Sequence, residues 1–250
     1  MADDPRSHES PRTAVVWSVL RAELRRRRDL GVTELAVLDV GGGSGVFAVP
    51  LAEMGLTVTV VDASADALAT LQRRAAEAGV AGRVVAVQGD ADRIAEAVQA
   101  ASYDLVLCHS ILEVVEDPGQ TIATIARLLR PGGRASVLVA NRVATVLARV
   151  LSGRVAEAAR AFADPAGRSG AADAVRRRFD TGVLTGLLEA GGLVVERLHG
   201  VRVVADLVPG AMLEGVPGGV EALLDLELAA AATPPYRDIA AQLHAFARRP

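Results

Sequence analysis

The 250-residue sequence predicts an α/β fold, a doubly wound, seven-stranded, mostly parallel sheet with helices on both faces. Three observations carry that expectation. Short apolar runs alternate with helical runs of about ten to sixteen residues. A glycine-rich turn, VLDVGGGSG at residues 37–45, follows the first apolar run, and an aspartate stands at the end of each of the next two.

Taken in order, an amphipathic helix spans roughly Arg12 to Arg28 and closes on RRRR, where the helix dipole favours cations. Strands are predicted at Leu35–Val40, Thr57–Val61, Arg83–Val87, Tyr103–Cys108 and Arg134–Val139, each a short, largely apolar run of the β type. Helices follow Gly45, Ser64 and Asp90, and another covers Gln120–Leu129. Ser64 has the character of an N-cap, and Pro131-Gly132-Gly133 reads as a turn that stops a helix. Asn141–Asp180 reads as an Ala/Arg-rich helical insertion with a loop at DPAGRSG. A helix near Val183–Ala190, a strand Leu193–His199, an extended run Val201–Val204, a helix Val220–Ala230 and a last, antiparallel strand near Gln242–Arg248 complete the pattern.

Composition narrows the class. With 51% hydrophobic and 23% charged residues the chain is globular, and its mean hydropathy of +0.31 comes from apolar runs of about six residues. A membrane-spanning helix needs ~20. The N-terminus, MADDPRSHESP, has no apolar stretch of the secretory kind, so a cytoplasmic protein is expected. One cysteine, Cys108, excludes an internal disulfide and a cysteine-based metal cluster, and four scattered histidines point away from zinc, so no metal is expected. All 27 basic residues are arginine, as a genomic codon bias would produce. Their distribution is uneven: 13 Arg against 6 acids from Arg127 to Arg202, and 11 against 18 over residues 1–126. Such asymmetry can mark a face for an anionic partner, or simply solvate ordinary helices.

The glycine turn carries the chemistry. Gly41, Gly43 and Gly45 let the backbone turn sharply after a buried strand, and with Gly42 they let a ligand approach without a Cβ in the way. Gly43-x-Gly45-x-x-Ala48 also fits a dinucleotide pattern, so glycines alone leave two cofactor classes open. Acids separate them. Asp39, two residues before the first glycine, suits an ammonium group and repels a pyrophosphate. Asp62 ends the second strand, where a carboxylate accepts from both ribose hydroxyls; both cofactor classes share that feature, which indicates a nucleoside only. Asp90, after the third strand, can accept from an adenine amino group while the Ala91 amide addresses a ring nitrogen. An adenosine with a cationic amino-acid tail is S-adenosylmethionine.

With the YDLVLCHSILEVVEDP and LLRPGG segments in order as well, residues 35–140 resemble the class I S-adenosylmethionine-dependent methyltransferases, a Rossmann-like fold. The whole chain is similar to the bacterial tRNA 5-carboxymethoxyuridine methyltransferases, which esterify a carboxyl group on a modified wobble uridine. RTAVVW (Arg12–Trp17), HSILEVVEDP (His109–Pro118), GVRV (Gly200–Val203), ALLDLE (Ala222–Glu227), PPY (Pro234–Tyr236) and LHAFARRP (Leu243–Pro250) carry that likeness. The resemblance implies cofactor contacts from Arg12, Gly41, Gly42, Asp62, Asp90, Ala91 and His109, with S-adenosylhomocysteine as product. One domain is expected: a helical segment over 1–34, a cofactor-binding core over 35–140, an insertion or lid over 141–180 that roofs the site and departs from the family's corresponding segment, and a sheet-completing segment over 181–250.

A carboxylate nucleophile needs no general base, which suits a chain with no evident catalytic dyad. A carboxylate substrate needs cations, for which Arg142 and Arg202 are the candidates, with Tyr236 and His244 as polar contacts. The partner is then tRNA, bound by a monomer or a homodimer. Two features point elsewhere: Val204, Ala205, Asp206 and Leu207 stand where that family carries aromatic and histidine residues, and aromatics make up only 3% of the chain. The alternatives are a methyltransferase for a small acidic or quinone-like metabolite, and a non-catalytic nucleotide-binding protein on the same fold.

Overall fold

A computed structural model of the chain describes residues 10–32, 34–171, 173–209, 212–213 and 216–250. The chain forms two compact units. One comprises Arg27–Val139, Gly182–Arg197 and Ala245–Pro250; the other comprises the described residues up to Arg26, Ala140–Thr181 and Leu198–His244.

Seven strands form one sheet: β1 (Ala36–Val40), β2 (Thr57–Asp62), β3 (Val84–Gln88), β4 (Tyr103–His109), β5 (Leu129–Ala140), β6 (Val194–Val201) and β7 (Gln242–Arg248), in the order β3-β2-β1-β4-β5-β7-β6. The pairs β1–β2, β2–β3, β1–β4 and β4–β5 are parallel. β7 runs antiparallel to β5, with Gly132 N donating to Arg249 O and Arg249 N to Gly133 O. Strands buried on both faces read as unbroken apolar runs, and Val37, Leu38, Val58, Val60, Val106 and Leu107 are fully enclosed. The strand order reverses between β1 and β4, and it is outside the carboxyl ends at such a reversal that open α/β sheets bind ligands.

The helices are α1 (Ala14–Asp29), α2 (Ala48–Glu53), α3 (Ala65–Glu77), α4 (Ile94–Ala97), α5 (Pro118–Leu128), α6 (Arg142–Leu151), α7 (Val155–Ala163), α8 (Thr181–Ala190) and α9 (Gly219–Ala231). Ser64 caps α3 as expected, its Oγ accepting from Ala67 N at 3.2 Å, and Asp117 caps α5 with Pro118 in the first turn. Leu68, Leu71 and Ala75 form the buried stripe of α3. Asn141 caps α6 through Val143 N, while its amide nitrogen donates to Asp238 O and Ala240 O.

Two local readings needed correction. α5 stops at Leu128, and the tract Pro131–Gly133 lies inside β5: Tyr103 pairs with Leu129 and Leu105 with Arg134, so the register jumps across an irregular stretch in which Gly132 is left-handed at φ 74°. The run Val201–Val204 is not a strand beyond Val201. Arg202 turns left-handed at φ 61°, and the amides of Val203, Val204 and Ala205 donate to the buried carboxylate of Glu227 at 2.8, 2.8 and 3.0 Å. A side chain on α9 thus takes the donors that a ladder would have used.

Candidate functional site

Within the first unit, the turn after β1 is held from both sides. Gly41 N donates to Val61 O at 2.7 Å and Gly45 N to Gly42 O at 3.0 Å, with Gly41, Gly43 and Gly45 at φ 68°, 54° and 78°. A Cβ on Gly41 would overlap Ile111, and one on Gly42 would overlap the Asp39 carboxylate. The strand end therefore demands glycine twice, for backbone hand and for space.

Asp62, at the end of β2, is the turn's second support. Its Oδ2 accepts from Gly43 N at 2.9 Å and its Oδ1 from Ser64 N at 2.8 Å. Each oxygen keeps a second lone pair, so the carboxylate can shape the loop and still accept hydroxyl donors. Asp39 is 3% exposed, and burial followed by the nearby Asp62 charge pushes its carboxyl up to about 7. Asp90, after β3, is exposed; its Oδ1 accepts from Asp92 N at 3.0 Å, and Ala91 opens the short 3-10 turn that follows.

His109 closes β4. Its Nε2 meets Ser136 Oγ at 2.9 Å and its ring lies edge-on to Phe47, with centroids 4.7 Å apart. Burial pushes its imidazole down to about 3, so the ring is neutral at physiological pH. Asp39, Gly41–Gly43, Gly45, Asp62 and His109 thus gather at the carboxyl ends of β1, β2 and β4, with Asp90 and Ala91 beyond β3.

The remaining candidates lie in the second unit and have different neighbours. Arg12 Nε pairs with Asp206 Oδ1 at 2.9 Å, and Arg202 Nε donates to Asp206 Oδ2 at 2.6 Å, so one carboxylate gathers two guanidiniums. Arg142 runs its aliphatic stem over Gly167, where a Cβ would collide with it. His244 is fully buried and stacks on His199, with centroids 5.7 Å apart. Tyr236 is exposed.

Comparison with known proteins gives these groups a context. Residues 38–137 match the family model described as "Methyltransferase domain". The chain is 30% identical over 239 residues to the tRNA 5-carboxymethoxyuridine methyltransferase of Escherichia coli O157:H7, covering 96% of this chain and 88% of that protein. The chain belongs to the class I S-adenosylmethionine-dependent methyltransferases. The family's ubiquinone biosynthesis O-methyltransferase from Caulobacter sp. (strain K31) is 39% identical over 114 residues, which span 46% of this chain and 44% of that one. In fold, this methyltransferase is similar to the S-adenosylmethionine dependent methyltransferase from Mesorhizobium loti, with a TM-score of 0.60 and 22% identity over 93% of this chain and 97% of that one.

For this methyltransferase the residues present fit the cofactor. Asp39 offers a buried carboxylate to a cationic tail, and Asp62 retains acceptor capacity for a ribose. Among the described residues, no group of three or more His, Cys, Asp or Glu is placed to hold a metal ion, and no helix is long and apolar enough to cross a membrane.

The raised Asp39 has a measurable consequence. Folding binds a proton at this group between its ordinary value of 3.8 and about 7, so its contribution to stability declines as pH rises through that window. Binding a cation does the reverse, because it favours the ionised form. S-adenosylmethionine affinity is expected to rise by up to about tenfold per pH unit below 7 and then level off, while Asp39→Asn flattens the profile. Calorimetry from pH 5.5 to 8.5 on both proteins checks this, and identical profiles would remove Asp39 from the site.

Sequence reasoning missed two supports. Arg74 on α3 donates from Nη1 to Ser44 O at 2.8 Å, pinning the glycine loop from outside. Both oxygens of Asp92 accept from Glu116 N, at 3.0 and 3.2 Å, tying the segment after β3 to the segment after β4. Neither carries a motif; each is an ordinary surface residue until the fold supplies its partner.

Proposed function

We propose that this methyltransferase esterifies a carboxylate, that of a modified wobble uridine in tRNA. The observation that carries the reading is the likeness to a tRNA 5-carboxymethoxyuridine methyltransferase across 96% of the chain, which extends well beyond the cofactor half. S-adenosylmethionine, when bound, would supply a sulfonium-borne methyl group for transfer to the acceptor oxygen in line, the carbon–sulfur bond breaking as the carbon–oxygen bond forms and S-adenosylhomocysteine being left as the thioether. The protein's part is positioning and charge. Asp39 holds the cationic tail, Asp62 the ribose, and Asp90 with the Ala91 amide the adenine; His109 offers a neutral polar edge beside them. Arg202 and Arg142 are the cations that would receive an acceptor carboxylate, whose oxygen attacks without deprotonation.

A second reading has its own support. The 39% identity to a ubiquinone biosynthesis O-methyltransferase is confined to the cofactor half, and the scarcity of aromatic residues suits a small metabolite better than a stacked base. Transfer of labelled methyl to bulk tRNA, followed by mild base, separates the two. Base-labile label on tRNA is the expected result. Cofactor binding with no label on tRNA, and label on a small acid or phenol from a metabolite extract, would replace the first reading with the second.

A further inference from the structure

The 141–180 segment holds a second concavity that the methyl-transfer site does not use. A cavity of about 540 Å³ lies between α6, α7 and the loop that follows, lined by Arg149, Arg154, Glu157, Arg160, Ser169 and Asp173. A neighbouring hollow of about 600 Å³ shares Arg160 with it and adds Arg168. Both volumes suit a small ligand.

The charges around the first cavity do not cancel. Asp173 is already spent: Arg178 Nη1 and Nη2 grip its two oxygens at 2.7 and 3.0 Å, and the amide and hydroxyl of Ser169 donate to it at 2.8 and 2.9 Å. That pair is almost wholly buried, and the bonds from Arg178 and Ser169 hold the Asp173 carboxyl well below the usual carboxylate range. Glu157 alone then faces three guanidiniums, lying 3.2 Å from Arg149 Nε and 3.9 Å from Arg154 Nη1. About two positive charges are left over at neutral pH.

The guanidinium of Arg160 is also aimed in advance. Its Nε donates to Ser169 O at 2.9 Å, which fixes the plane and leaves both Nη nitrogens for other acceptors. Ser169 is 6% exposed, and the Asp173–Arg178 pair holds it from behind, so Arg160 is steered by a rigid part of the loop. Exposed Leu151, Val155 and Phe162 stand on the same two helices.

We propose that this cavity binds a phosphoryl group carried by a larger molecule, received by Arg149, Arg154 and Arg160. A surplus of two charges matches a phosphate monoester, and forks arriving from separate helices match a tetrahedral oxyanion better than a planar carboxylate. The site is independent of the methyl acceptor: a tetrahedral phosphoryl oxyanion is offered by a free phosphomonoester or, with one negative charge fewer, by one phosphodiester of an RNA strand.

The test uses the full chain and three probes, namely inorganic phosphate, a ribonucleoside 5′-monophosphate and a single-stranded RNA oligonucleotide. Arg154→Ala/Arg160→Ala is expected to weaken phosphate and nucleotide binding by about tenfold or more, while Arg73→Ala, which removes a surface cation on α3, changes neither. If RNA is the source, it binds more tightly than the mononucleotide, and the variant lowers the slope of log affinity against log salt by about 0.7, as for one lost phosphate. Equal affinities for the two assign the site to a free phosphomonoester. Phosphate binding that is absent, or unchanged in the double variant, overturns the proposal. S-adenosylmethionine binding measured on the same samples reports folding and keeps this result separate from the methyl-transfer reading.

Discussion

Asp62→Ala is expected to raise the dissociation constant for S-adenosylmethionine by about 100-fold or more, the largest effect of any single substitution in the cofactor half. Two losses add. The ribose loses an ionised acceptor, and a hydrogen bond to a charged group is worth about 1.5–3 kcal/mol. The loop loses the group that receives Gly43 N and Ser64 N, so the glycine turn no longer has its shape fixed before the cofactor arrives. Asp62→Asn separates the terms: its carbonyl oxygen can still accept, but its NH₂ faces an amide donor, so an intermediate affinity is expected. Calorimetric titration of the three proteins decides the matter, and an alanine variant within about threefold of the parent would mean that the ribose is held elsewhere.

The second large effect concerns stability. Glu227 is fully buried and receives three backbone amides, two of them in bonds wholly shielded from water. Truncation leaves those donors without an acceptor, at a cost of about 1–3 kcal/mol for each buried group. Glu227→Ala is therefore expected to cost about 3 kcal/mol or more, a large share of the roughly 5–15 kcal/mol that folded domains possess. Leu226→Ala, at a neighbouring exposed position, serves as the control. Urea midpoints read the difference, and a loss below about 1 kcal/mol would show that the segment after β6 finds other acceptors.

What was legible in the sequence follows from how local each feature is. Strands β1, β2 and β4 are largely buried runs whose signal lies in five to seven adjacent residues, and Ser64 caps a helix through a residue three positions on. Asp39, Asp62 and the glycines are tied to strand ends, so finding the strand finds the group. Glu227 was visible only as part of a family-like string, because its role depends on amides more than twenty positions away. The run Val201–Val204 has strand composition, yet that carboxylate on another element draws its donors off the ladder. Arg12 and Arg202 read as separate ligands for separate anions, and Asp206, which draws both together, read only as a departure from the family pattern.

Cys108 sits in the middle of the sheet on β4, opposite Val40 on one side and Val137 on the other, with no exposed surface. Burial and the acids Glu113 and Asp39 push its thiol far above the ordinary range, so the folded chain offers alkylating reagents almost no thiolate. Because it is the chain's only sulfhydryl, every labelled molecule is one whose central strands have parted. The protein thus carries its own counter for rare openings of the core, requiring no engineered probe and reading the strand beside which the cofactor loop is built.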